Sequence, residues 1–432
     1  MRKMSRFKYA VLGVFLLVAA LAVAGVIVGI SDVPGEIFLV GGNSQVLNIG
    51  CPFELSMEQS EDSVAAVTLQ GNSLNQQGSY SLSQPLVISG QSQGNCKANL
   101  MLFGIKVKEI KITVMEEAML VPGGQSIGVL LHTKGALVVG SMNIRSQSGE
   151  QVNPAKVAGL QAGDIIEKYN GTEIKDAAHL SELINHKEGE ARLSVRRGEQ
   201  ILELTISPVQ DAEDGLWKLG VWVRDSTLGV GTLTFYDPAS KKFAGLGHAI
   251  ADVDTGKLLT VKDGEIVESE ILEVVKGEEG EPGELRGSFG SNDEVIGYIK
   301  KNTDYGLYGN AAQEIDNDLY QSAIPAAKRD EVKVGDATLL CTLDDGGIKE
   351  YSCQIVKVTP QNAPAQKSFI VKIDDEELLS ITGGIVQGMS GSPVIQDGKL
   401  IGAVTHVFVN DPTQGYGIYL DWMLSEMYSV QE

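Results

Sequence analysis

The stretch from Gly383 to Val394, Gly-Gly-Ile-Val-Gln-Gly-Met-Ser-Gly-Ser-Pro-Val, restricts what this chain can fold into more than any other. Glycine reaches backbone dihedrals closed to other residues, so the segment reads as a tight loop with few side chains. A strand at Val394-Ile395, a turn at Asp397-Gly398 and a second strand from Leu400 to Val404 follow it. Such a loop lifts the Ser390 hydroxyl clear of its neighbours and lets backbone N–H groups converge on one small space. The amides of Gly388 and Ser390 are the expected oxyanion hole for acyl transfer. The plain alternative is a glycine-rich hairpin loop that happens to contain a serine.

A serine nucleophile needs a base, and the base needs an orienting group. The chain has five histidines, at 132, 179, 186, 248 and 406. His248 lies in the small-residue bend Gly245-Leu246-Gly247-His248-Ala249-Ile250, after the strand-like run Gly231 to Tyr236. Asp374 and Asp375 end the alternating run Ser368 to Ile373, and the residues alone do not choose between them. The order His, Asp, Ser is that of chymotrypsin-like enzymes, whose catalytic groups meet between two β-barrels.

Gly-Leu-Gly-His, Thr-Gly-Gly-Ile-Val-Gln-Gly-Met-Ser-Gly-Ser-Pro and the later Ile-Gly-Ala-Val-Thr-His-Val-Phe-Val-Asn-Asp-Pro closely resemble the stage IV sporulation protein B (SpoIVB) peptidases. The resemblance covers nearly the whole length. It implies that His248 is the general base, Ser390 the nucleophile and Asp375 the orienting acid. It further implies signalling across the space between mother cell and forespore, and self-cleavage near the N-terminus. The implied substrate is a membrane-bound regulator of an intramembrane metalloprotease, cut so that a late sigma factor can be processed.

Composition sets broader bounds. The balance of 35 basic against 56 acidic residues, a net charge of −21, excludes nucleic acid as a partner, because phosphate binding needs clustered cations. With 43% hydrophobic residues the chain can fill several cores. No metal and no cofactor is expected. Cys51 with Cys96 and Cys341 with Cys353 are possible disulfide pairs, with buried free thiols the alternative.

The expected architecture is mainly β, in four parts. Residues 1–32 hold Arg2, Lys3, Arg6 and Lys8 ahead of the uncharged apolar run Tyr9 to Ile30. That run is about the ~20 residues needed to cross a bilayer. Basic residues on its near side predict a cytoplasmic N-terminus and exported domains, with a cleaved signal peptide as the competing reading. Residues 33–118 read as a small β-sandwich-like spacer of short strands. Residues 119–210 read as an α+β PDZ domain, on Asn153-Pro154, Ala-Gly-Leu-x-x-Gly-Asp-Ile-Ile, the hairpin signal Asn170-Gly171, a helix presenting Leu180, Leu183 and Ile184, and strands near 191–196 and 201–206. By that resemblance Gly124, Gln125, Ser126, Ile127 and Gly128 form the loop that receives a peptide ligand, which could be the chain's own, and His179 and His186 lie on an exposed helix face.

Residues 211–432 read as the chymotrypsin-like double-barrel peptidase domain. Within it, Lys276 to Glu284 is expected to be a mobile surface loop, being polar and rich in glycine. Val404, Thr405 and His406 occupy the place where chymotrypsin-like enzymes bind the substrate backbone, although a buried structural role for His406 is the stronger reading. The function these readings imply is an exported, membrane-tethered serine endopeptidase. The alternatives are a catalytically silent PDZ adaptor and an HtrA-like quality-control protease, the latter disfavoured because its PDZ modules follow the protease domain.

Overall fold

The computed structural model describes residues 33–430 apart from 34, 41–43, 48, 50–52, 59–66, 70–71, 74–78, 116–117, 187–188, 199, 253–255, 257, 260, 290–293 and 362–363. The apolar run Tyr9 to Ile30 and Cys51 lie outside the described residues. Among those described, no helix is long and apolar enough to cross a membrane. The chain divides into two compact units, one running up to Ala118 and including Pro360–Pro364, the other made of Met119–Thr359 and Ala365–Glu432.

In the first unit, alternating burial marks two-faced strands. A five-stranded sheet contains Glu36–Val40, Phe53–Met57, Ser79–Ser81, Gly94–Leu102 and Ile105–Met115, and a four-stranded sheet contains Ser44–Leu47, Val67–Leu69, Asn72–Ser73 and Leu86–Gly90. Leu55, Leu100, Ile110 and Ile112 of the one share a core with Val67, Leu69, Leu86 and Ile88 of the other. Between Gly94–Leu102 and Ile105–Met115 the chain makes a tight reversal, with Phe103 and Gly104 both at positive φ.

The second unit contains two six-stranded barrels. The first is built from β1 (Ser126–Ser141), β2 (Val221–Asp237), β3 (Lys242–Gly245), β4 (Val261–Glu268), β5 (Val295–Thr303) and β6 (Gly306–Ala311), in the order β1-β4-β5-β6-β3-β2. It closes because β2 pairs back onto β1. Ile127, Val129, Leu131, Leu233, Phe243, Ile266, Ile299 and Leu307 fill it. The second barrel is closed by β7 (Gly335–Thr342), β8 (Ile348–Val358), β9 (Phe369–Ile373), β10 (Pro393–Gln396), β11 (Lys399–Phe408) and β12 (Asp411–Tyr419). Cys341 and Cys353 face its core as free thiols. They sit opposite Lys349 and Ala337 respectively, not opposite each other, and burial pushes the Cys353 thiol up to about 12.

The PDZ-like module is spliced into the first barrel. β1 and β2 are long enough to serve both bodies: Ser126 to His132 pair with Ser226 to Thr232 in the barrel, and beyond a register shift Leu137 to Ser141 pair with Val221 to Arg224 in the module. Between them lie helix α1 (Pro154–Ala158), capped by the Asn153 side chain and ended by Gly159 in the left-handed region, and helix α2 (Ala177–His186). Strands Ile165–Tyr169, Ala191–Arg197 and Gln200–Ile206 complete the module, around Leu180, Ile184, Leu193 and Val195.

This splice moves the segment expected to bind peptide. Ser126, Ile127 and Gly128 are barrel strand, all three paired with β2 and the last two also with β4. The amides of Gly123 and Gly124 donate to the carbonyls of Thr234 and Leu233. A carboxylate-binding loop needs free N–H groups, and these are already used. The polar segment Lys276 to Glu284 also departs from expectation. It ends a hairpin of strands Glu270–Val275 and Glu284–Ser288, and is tied down by Gly277 N–H to the Thr382 carbonyl, Lys276 Nζ to the Ser380 carbonyl and Gly280 N–H to the Val409 carbonyl. Two backbone donors and one lysine side chain hold a loop whose composition gave no reason for packing.

Candidate active site

Ser390 sits on the loop between helix α3 (Glu376–Thr382) and β10. The loop's shape comes from its glycines: Gly383, Gly384, Gly388 and Gly391 all have positive φ. Gly391 is also the point of closest approach to the first barrel. A Cβ there would lie 2.2 Å from the Thr232 carbonyl oxygen and 2.5 Å from the Leu246 nitrogen. Thr232 of β2 clasps the loop from that side, its N–H donating to the Ser390 carbonyl (3.1 Å) and its hydroxyl to the Gly388 carbonyl (2.8 Å). On the other side the hairpin holds Gln387, whose N–H donates to Gly283 and whose carbonyl accepts from Leu285, both at 2.8 Å. Among the described residues, the N–H groups of Gly388 and Ser390 donate to nothing in the protein.

His248 follows β3 on a bend with Leu246 and Gly247 at positive φ. Leu246 N–H donates to the Thr232 carbonyl, so one residue of β2 anchors both the histidine bend and the serine loop. The two meet again at Thr405. The Ser390 hydroxyl donates to the Thr405 carbonyl (2.9 Å), and a Cβ on Gly247 would lie 3.0 Å from the Thr405 methyl. The His406 ring lies 5.0 Å from that of His248. The structure thus brings His248 and Ser390 to one seam between the barrels, with the serine hydroxyl bonded to a carbonyl and not to the imidazole.

It does not bring Asp375 there. One oxygen of Asp375 accepts the Leu378 N–H (2.9 Å) as the N-cap of α3, and the other accepts the Ser352 N–H (3.2 Å). Asp374 accepts the Ser352 hydroxyl (2.7 Å). An aspartate before a helix is drawn to its unpaired amides; that pull sets one oxygen here, and the Ser352 N–H of β8 holds the other. Among the described residues no carboxylate is hydrogen-bonded to His248. Its Nδ1 lies 2.8 Å from the Ala249 carbonyl. Burial lowers the titration of His248 below the ordinary histidine value, and the Ala249 hydrogen bond opposes that in part.

The strand expected to bind substrate is partly committed to the barrel. Val404 is buried, its N–H donating to Ser392 and its carbonyl accepting from Gly391. Thr405 is buried, with its hydroxyl on the Tyr416 carbonyl. His406 is exposed, not a buried structural histidine. In the PDZ-like module, the edge of β1 from Leu137 to Ser141 is paired antiparallel with Val221 to Arg224. Trp217 and Leu219 pack on the module's core, as do Val221 and Val223, and Asn185 of α2 accepts the Trp217 N–H (2.8 Å).

Residues 215–424 match the SpoIVB peptidase S55 family and residues 151–197 match a PDZ domain. This is a PDZ-containing SpoIVB-type serine protease. The SpoIVB-type domain makes the chain a serine endopeptidase, a hydrolase of peptide bonds. Solved structures similar to it include the PDZ domain of the SdrC-like protein from Listeria monocytogenes, 20% identical, covering 21% of this chain and 87% of that one with a TM-score of 0.17. The HtrA-type protease AlgW with a decapeptide is 15% identical, covering 48% of this chain and 53% of that one with a TM-score of 0.29. The SpoIVB-type protease therefore spans about half of the AlgW chain. No curated protein matches it.

Four features of the site had no clear signal in the sequence: the Thr232 clasp, the hairpin on Gln387, the Ala249 carbonyl at the imidazole, and the first-barrel strand lying ahead of the PDZ match. The last was detectable in principle, since Ser126 to Leu131 is an apolar run ahead of the module, yet the glycines around it read as a loop.

Proposed function

We propose that this protease cleaves with Ser390 as nucleophile and His248 as general base, the oxyanion being received by the N–H groups of Gly388 and Ser390. The observation that carries this is the pair of unused amides beside a serine hydroxyl, on a loop that shares Thr232 and Thr405 with the histidine bend. In turnover the Ser390 hydroxyl exchanges the Thr405 carbonyl for Nε2 of His248. Its oxygen attacks the scissile carbonyl carbon as the ring takes its proton. The imidazolium then protonates the leaving amine, and water repeats the sequence on the acyl-serine. The convergent amides stabilise each tetrahedral intermediate, a contribution of about 3 kcal/mol per donor in a dry site.

In the same proposal the enzyme is exported and tethered by the apolar run Tyr9 to Ile30. It acts on a membrane-bound regulatory protein of a sporulation pathway, leading to processing of a late sigma factor, and on its own N-terminal region. The PDZ ligand is its own chain: Val221 to Arg224 add a strand to β1, and Trp217 just ahead of them bonds Asn185 of α2, the mode by which such modules take extended peptides. The test is N-terminal sequencing of products from the wild-type protein beside Ser390→Ala, together with labelling by a fluorophosphonate. Cleavage and labelling that both vanish in the variant support the reading. Undiminished cleavage removes Ser390 from its role, and an absence of labelling in folded wild type supports a silent adaptor.

A further inference from the structure

His248 has a partner at Nδ1 that carries no charge. The Ala249 carbonyl can only accept, so Nδ1 carries the hydrogen and, in the neutral ring, Nε2 is the free acceptor. The same peptide unit continues beyond the carbonyl. Its N–H, that of Ile250, donates to Oδ1 of Asn302 at 2.9 Å. The amide nitrogen of Asn302 donates in turn to the carbonyls of Ile250 (2.8 Å) and Leu259 (3.0 Å). Asn302 is set in β5 opposite Leu307 of β6, so its backbone is fixed by the barrel. One side chain thus grips the peptide between residues 249 and 250 from behind while the imidazole meets it from the front.

We propose that Asn302 is a positioning residue for His248, holding the 249–250 peptide so that its carbonyl keeps the ring's hydrogen on Nδ1 and leaves Nε2 open to the Ser390 proton. The inference rests on the reading of His248 as the base. A peptide whose N–H is held by an acceptor is the better acceptor at its own oxygen. The arrangement supplies orientation without a buried carboxylate, and it does so where Asp375 is engaged by the α3 cap. The titratable group facing the ring is His406, with Lys367 acting on His406 in turn, and both are basic.

The test is the rate at which a rhodamine-linked fluorophosphonate labels Ser390 in the full chain, followed against pH for wild type, Asn302→Leu and Asn302→Asp. Asn302→Leu should label more slowly by about tenfold or more, with its acid limb moved to lower pH, because loosening the Ala249 hydrogen bond removes what favours the charged ring. Asn302→Asp keeps an acceptor for the Ile250 N–H and sets a negative charge behind the peptide. It should recover part of the rate and move the limb the other way. A folded Asn302→Leu protein with wild-type rate and limb overturns the proposal. The tautomer is also read without any Asn302 variant, from nitrogen NMR of His248 in Ser390→Ala protein: hydrogen on Nδ1 is expected, and a neutral ring protonated mainly at Nε2 overturns the proposal even if Asn302→Leu does not fold. Failure of the underlying reading looks different, since His248→Ala would then label normally whatever the tautomer.

Discussion

The two barrels hold one catalytic candidate each, yet they are assembled differently. The second is continuous in sequence from β7 to β12, and its strands pair only with one another and with short neighbours. The first takes β1 from ahead of the PDZ-like module and β2 from behind it, and both strands run on into that module. A disturbance in the PDZ groove therefore has a covalent, hydrogen-bonded route along β2 to Thr232, which holds the serine loop. The second barrel has no such strand. Placing Ser390 on the self-contained barrel and its clasp on the shared one makes the seam the place where the module's state can be felt.

The strongest way to break this arrangement is Gly391→Ala. Its Cβ would meet backbone atoms of Thr232 and Leu246, which cannot swing aside, and alanine would also sit at a φ of 96°. Strain of roughly 3 kcal/mol follows from the contact and the dihedral together, and fluorophosphonate labelling should be lost. Wild-type labelling with unchanged thermal unfolding would mean that the barrels are not in contact at that glycine.

A smaller effect separates the barrels. Val223→Asp puts a carboxylate among the apolar groups that seat β2 in the module, where the partly buried Val223 packs against the module's core. A cost of about 1–3 kcal/mol is expected for a polar group buried there without partners. By hydrogen exchange, amides of Thr227 to Thr232 should lose protection while those of Val394 to Val404 keep theirs. Equal loss in both barrels would show that the continuity of β2 has no special consequence.

How much of this could be read beforehand follows the same division. The second barrel declared itself: the alternation of Ser368 to Ile373, the glycine loop and the Asp397-Gly398 turn are local signals, and each sits where its chemistry demands. In the module, the cap at Asn153 and the Asn170-Gly171 hairpin were equally local. The first barrel was hidden, because pairing of Ser126 to His132 with Ser226 to Thr232 joins segments separated by an entire module and leaves no periodic trace. Asp375 is the instructive case. Sequence order suggested an orienting acid, whereas the Leu378 amide of α3, three residues on, and the Ser352 amide of β8 hold the carboxylate first. A choice between a distant imidazole and an adjacent helix end depends on loop geometry that neither aspartate's neighbours encode.

That choice gives a third prediction. Asp375→Ala should cost about 1 kcal/mol of stability through the lost cap, with labelling of Ser390 within a few-fold of wild type. A fall of about four powers of ten, the size seen when a triad carboxylate is neutralised, would require the acid to leave the cap during turnover and would rank Asp375 above the 249–250 peptide.

The smallest effect expected is a shift along the pH axis. His248 must be neutral to accept the serine proton, and its folded-state titration lies below the ordinary value of 6.5 because burial disfavours the charged ring. The labelling rate should therefore hold as pH falls to 6.5 and decline only below it. The unfolded chain protonates this histidine first, so its contribution to stability is present above 6.5 and is lost as pH drops from there through the lower folded value. Replacing the neighbouring His406 with Gln removes a like charge only at pH low enough to protonate both rings, so the limb should move upward slightly or not at all. A limb above 6.5 in the wild type would demand a negative charge close to the imidazole, and the carboxylate that supplied it would have to come from a rearranged second barrel.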